Sequence, residues 1–72
     1  MTQPDTELTL TINQQPVRLP AGATLLDAIK HVGIQPPFAA AVNLDFVPRG
    51  QYAQRQLATG DQIELIAPIT GG

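Results

Sequence analysis

No cysteine occurs anywhere in the 72 residues. That one absence removes disulfide stapling, a thiolate metal site, an iron–sulfur cluster and a cysteine nucleophile together. Stability has to come from packing alone. Charge is also scarce: Asp, Glu, Lys and Arg make up 14% of the chain, against about 25% in a typical soluble domain, which suggests that a partner covers part of the surface in use. The four basic residues, Arg18, Lys30, Arg49 and Arg55, are scattered along a chain of net charge −2. A nucleic-acid binder shows a clustered basic footprint instead, so proteins are the expected partners and nucleic acid is not. No apolar run approaches the roughly 20 residues of a membrane span. The opening MTQPDT is polar rather than basic followed by apolar, unlike a signal or transit peptide. No membrane partner is expected, and the cytoplasm is the expected compartment. The single histidine, His31, falls in a helical pattern with no ligand pair beside it and reads as a surface residue rather than part of a zinc site. A chain this short buries a modest fraction of its surface and has little room for a deep cleft. A carrier or interaction module is therefore favoured over an enzyme. Internal repeats and low-complexity segments are lacking too.

What is present is a clear order of elements. ELTLTI, residues 7 to 12, alternates Leu8, Leu10 and Ile12 against Thr9 and Thr11, the period of a half-buried strand. Asn13-Gln14-Gln15 supplies turn residues, and Val17 and Leu19 alternate again, so the chain opens with a β-hairpin that Pro20-Ala21-Gly22 ends. TLLDAIKHVG then predicts a short helix, with Thr24 as N-cap, Asp27 three residues on as the acidic half of a capping box, and Gly33 as the stop. Its apolar stripe is Leu25, Leu26, Ile29 and Val32. After Pro36-Pro37, FAAAVN reads as a short buried strand. A polar turn at Asn43 to Asp45 follows, Phe46 and Val47 are expected to re-enter the core, and Pro48 ends that strand because it cannot donate to a ladder. GQYAQRQLATG reads as an irregular or briefly helical crossover, and Gly60-Asp61 turns into a last strand, QIELIA, with Ile63 and Leu65 inward. A last strand lying parallel beside the first completes an α+β, ubiquitin-like β-grasp, in which one main helix covers a mixed sheet of four to five strands. The organisation is a flexible arm over residues 1–6, a domain over 7–67 and a mobile tail over 68–72.

The tail, PITGG, ends in Gly71-Gly72. Five extended residues reach roughly 16 Å at about 3.3 Å each, enough to leave the domain and enter another protein. Glycines lack Cβ, so their backbone passes through a channel too narrow for a side chain. The terminal group is an α-carboxylate, ionised at neutral pH, which repels nucleophiles and offers no leaving group. Activation by ATP to an acyl-adenylate cures both defects, and an unbranched glycyl carbonyl leaves the path of attack open to a persulfide-derived sulfide, a thiol or a lysine amine. No residue of this chain performs that chemistry. It carries the acyl group, and enzymes act on it.

From residue 7 onward the chain resembles the ThiS family of sulfur-carrier proteins in thiamine biosynthesis. The resemblance rests on Asn43 at the turn, on Val47-Pro48-Arg49 with aromatic Tyr52 close behind, on Gly60-Asp61 leading into an apolar last strand, and on Gly71-Gly72. It implies that a ThiF-like, ATP-dependent adenylyltransferase adenylates Gly72 and that sulfur originating from cysteine converts it to a thiocarboxylate. A ThiG-like thiazole synthase then takes the sulfur into the thiazole phosphate ring. On this resemblance the protein binds no cofactor itself, ATP and the sulfur source being used by its partners. Gly71, Thr70 and Ile69 are the expected occupants of the partner's channel. The departures are a slightly longer N-terminal arm and the Pro-rich IQPPF loop, neither of which touches the tail.

Three other classes share features with this pattern. The small subunit of molybdopterin synthase has the fold and the Gly-Gly, but an aromatic, double-proline approach to them where this chain has LIAPITGG. A ubiquitin-like modifier would end in lysine conjugates, and a non-covalent interaction domain would work without its glycines. Among side chains, Ile66 lies on the opposite face from Ile63 and Leu65. With Ala39 or Ala41 and Leu44 it is expected to form an apolar docking patch beside the tail. Arg49 is expected either to contact an acidic partner or a phosphate or to remain a solvated loop charge. Tyr52 is expected to pack on the end of the sheet, and Asp61 to serve the turn.

Overall fold

The computed structural model describes residues 7–67; the expectations for the arm at 1–6 and the tail at 68–72 lie outside them. The alternating segments pair as their periods require. β1 (Glu7–Ile12) and β2 (Gln15–Pro20) form an antiparallel hairpin in the register Leu8 to Leu19 and Leu10 to Val17. The turn is two residues rather than three: Asn13 and Gln14 have φ of 52° and 70°. This is the left-handed pair that matches the twist of the flanking strands, and Gln15 already belongs to β2.

The helix α1 (Leu25–Val32) has the predicted ends. The Thr24 hydroxyl accepts from the Asp27 N–H at 3.4 Å, and the Asp27 carboxylate accepts from the Thr24 N–H at 2.9 Å. Gly33, at φ 80°, stops the helix. The Leu25 and Leu26 N–H groups donate to the carbonyls of Arg55 and Tyr52, so donors that a helix start leaves unpaired are satisfied by the crossover. The buried helical residues are Leu25, Ala28 and Ile29. Val32 departs from expectation at 45% exposed: the buried helical positions stop at Ile29, and Lys30, His31 and Val32, which end the helix, are all exposed.

β3 (Ala39–Val42) and β4 (Asp45–Val47) make a second hairpin, with Asn43 and Leu44 at φ 52° and 71° repeating the first turn. A 3₁₀ turn (Arg49–Gln51) opens the crossover, and β5 (Gln62–Ile66) closes the chain of elements. The sheet order is β2-β1-β5-β3-β4, with β5 parallel to β1 and antiparallel to β3. This is the expected β-grasp. Leu10, Ile12, Leu19, Ala40, Val42, Val47, Ile63 and Leu65 supply the inner face, which the helix, Tyr52 and Leu57 cover. Phe46 does not join them. Successive strand residues face opposite ways, so only one of Phe46 and Val47 can enter the core. Val47 pairs with buried Ala40 and is taken in, while Phe46 is 68% exposed.

Candidate functional site

The last described strand occupies the middle of the sheet, and both hairpin turns fasten it there. On the β1 side, where β1 turns away before β5 has ended, the Asn13 side chain takes over the ladder. Its Oδ1 accepts from the Leu65 N–H at 2.9 Å, and its Nδ2 donates to the Leu65 carbonyl at 3.2 Å. One amide thus stands in for a peptide of the missing neighbour. On the β3 side, Asn43 Oδ1 accepts from the Gln62 N–H at 2.9 Å, and the Asn43 N–H donates to the Gln62 carbonyl at 2.7 Å. Asn43 Nδ2 donates at 3.0 Å to Asp61, whose other carboxylate oxygen accepts from the Ala58 N–H at 2.8 Å. Asp61 does serve its turn, and it also binds that turn to the β3–β4 hairpin. The Gly60 N–H, at a φ of 94° that favours glycine, donates to the Thr9 carbonyl at 2.8 Å. The strand that leads into the tail is thereby anchored along its length.

The outer face of the sheet carries an apolar strip at the end nearest that exit, bordered on β5 by Glu64, which pairs with Ala41. Ile66 is 60% exposed and pairs with Ala39, while Phe46 pairs with Ala41 on the far side of β3. Two small residues form a low floor between two large ones, Ile66 and Phe46. An exposed sheet face is ordinarily polar, as it is at Thr9 and Thr11 on β1. Leu44, expected to join Ile66, is 84% exposed but sits at the tip of the β3–β4 hairpin. That is four residues along from the level of Ala39 and Ile66, about 13 Å away. Phe46 takes the place the sequence reading gave to Leu44. The signal was available: with Val47 inward, the pleat obliges Phe46 to face out.

Arg49 is exposed and lies at the same end as Ile66. It lines a shallow cleft of about 110 Å³ with Pro36, Pro37, Phe38 and Tyr52. The rings of Phe38 and Tyr52 stack at 5.8 Å, inclined by 12°, so Tyr52 is buried at the end of the sheet as expected. Neither the cleft nor the role of Asn13 is visible in the sequence reading, since both join residues far apart in the chain. The ion pair among the described residues, Arg18 to Glu7 at 3.9 Å, is exposed and distant from this end. His31 is exposed on the last turn of α1, and no helix among the described residues is long and apolar enough to cross a membrane.

Comparison with known proteins agrees with this geometry. The family model described as "ThiS family" matches residues 6–72. The sulfur carrier protein ThiS of Escherichia coli (strain K12) is 36% identical over 64 residues, covering 88% of this chain and 97% of that protein. The crystal structure of a thiamine biosynthesis protein (ThiS) from Geobacter metallireducens superposes with a TM-score of 0.75 over 90% of this chain and all of that one. At 16% identity, that likeness speaks for the β-grasp alone. With a sheet that delivers its central strand to a Gly-Gly terminus, and a family match along nearly its whole length, the chain belongs to the ThiS family.

Proposed function

We propose that the chain is a cytoplasmic sulfur carrier of thiamine biosynthesis, a protein cosubstrate rather than an enzyme, whose cargo rides on Gly72. The terminal carboxylate attacks ATP in a ThiF-like adenylyltransferase and releases pyrophosphate as the acyl-adenylate forms. A sulfide equivalent derived from cysteine then adds to the glycyl carbonyl and expels AMP, leaving a thiocarboxylate. A ThiG-like thiazole synthase accepts that sulfur. In this reading Ile69, Thr70 and Gly71 line up in the partner's channel, and the Ile66, Ala39, Ala41 and Phe46 face docks on the partner's surface.

The observation that carries the reading is the placement of β5. It is held from both sides by Asn13 and Asn43 and leads from the middle of the sheet, beside an apolar face, directly to the tail. A rigid base lets a short tail reach a fixed depth in an enzyme, since little ordering entropy is left to lose near its root. The test is pyrophosphate release from ATP by the adenylating enzyme. The full chain should support it, and chains lacking Gly72 or carrying Gly71→Val should not. Equal release with the shortened chain would overturn the assignment, and products consisting only of lysine conjugates would assign a modifier instead.

A further inference from the structure

The cleft around Arg49 has a position that its residue composition alone does not reveal. Ala39 pairs with Ile66, and Ala40 with Val47. Ala39 and Ile66 are the last residues paired between β3 and β5 at this end, β4 ends at Val47, and Arg49 opens the 3₁₀ turn two residues later, where it shares the cleft with Phe38, the residue before β3. Arg49 therefore lies on the same rim of the sheet as Ile66, which precedes the root of the tail. An enzyme that takes the tail into a channel must cover this rim.

The chemistry of the rim is specific. Pro36, Pro37 and the stacked rings of Phe38 and Tyr52 give the cleft an apolar floor and walls, and Arg49 is its charged member. Among the described residues no carboxylate pairs with Arg49. Glu7 is taken by Arg18, Asp27 by the helix cap and Asp61 by Asn43 and Ala58. Asp45 opens β4 at the far end of the hairpin, and Glu64 sits opposite Ala41. In a chain of net charge −2 the cleft is thus a local positive site. A guanidinium beside apolar surface is weakly hydrated and suited to bidentate pairing with a planar carboxylate. A nucleotide phosphate fits less well, because an extended five-residue tail carries the reacting carboxylate about 16 Å beyond Ala67.

We propose that the Arg49 cleft receives an acidic side chain, flanked by an apolar one, from the surface of the enzyme that activates the tail. The proposal rests on the carrier reading above. It adds a charged anchor, on the rim next to the tail root, to the apolar face of Ile66 and Phe46.

The test titrates the full chain, and its R49E and R49K variants, into the ThiF-like adenylating enzyme by calorimetry without ATP, at low and high salt. Thermal melts confirm that each variant is folded. R49E should weaken binding about fiftyfold and flatten its salt dependence, and R49K should lose about fivefold, keeping the charge but not the fork. R49E affinity within about twofold of the parent would overturn the proposal. So would an unchanged affinity with a slower adenylation step, which would place Arg49 at the nucleotide. Tighter binding by R49E would also overturn it, as the mark of a cleft that holds the chain's own terminal carboxylate. Adenylate formation by the parent chain, read by intact mass after ATP is added to the same protein preparations, separates the two ideas. If the parent is adenylated, loss of the Arg49 effect removes the cleft alone; if it is not, the carrier reading itself fails.

Discussion

Truncating the two walls of the outer-face patch gives a prediction whose size follows from exposure. Full burial of a Phe side chain contributes about 3 kcal/mol. Phe46 is 68% exposed, so docking has about 2 kcal/mol left to gain there, and Phe46→Ala should weaken binding to the adenylating enzyme about thirtyfold. Ile66→Ala removes three methyl or methylene groups at about 0.8 kcal/mol each. With Ile66 60% exposed, about 1.4 kcal/mol of that belongs to docking, or about tenfold in affinity. The parts already buried limit the folding cost to about 1 kcal/mol each, within the margin of a stable domain. Calorimetric titration of each variant reads the affinity, and urea denaturation reads the stability. Val32→Ala is the control, because Val32 is 45% exposed but belongs to the helix that covers the inner face. Leu44→Ala should change affinity by less than about threefold, as expected at the margin of a footprint. If Phe46→Ala and Ile66→Ala both bind within about twofold of the parent while remaining folded, the patch is not the docking face.

Two further outcomes test the frame that presents the tail. Asn13→Ala leaves the part-buried Leu65 N–H and carbonyl without partners and should cost about 1–3 kcal/mol in urea denaturation; hydrogen exchange at Leu65 should accelerate with it. Thr24→Ala removes the cap of α1 and should cost about 1 kcal/mol. No change in the denaturation midpoint of that variant would show the capping box to be dispensable.

How much of this was legible in the sequence depended on the range of the interaction that decides each feature. The helix could be read to its caps because Thr24, Asp27 and Gly33 act within a few residues of one another. The faces of β1 and β5 followed from strict alternation over five or six residues. Phe46 was misplaced because β4 has three residues, and two adjacent apolar ones leave the facing undecided until Ala40 chooses Val47. Val32 was misplaced because periodicity gives the direction of a side chain but not where along the helix burial stops. The clamp by Asn13 and the cleft of Pro36, Pro37, Phe38, Arg49 and Tyr52 join segments that meet only through the sheet order. The tail was legible as chemistry alone.

The measurement that tests the central claim most directly is the intact mass of the chain after incubation with its adenylating enzyme, ATP and an isotopically labelled cysteine-derived sulfur source, before and after a thiol alkylating reagent. Because the chain has no cysteine, an unmodified chain offers the reagent no thiol. The account predicts an exchange of oxygen for labelled sulfur that makes the chain alkylatable, with fragmentation placing both changes on Gly72. A chain that is adenylated by an active enzyme, yet never acquires labelled sulfur at Gly72, would contradict it.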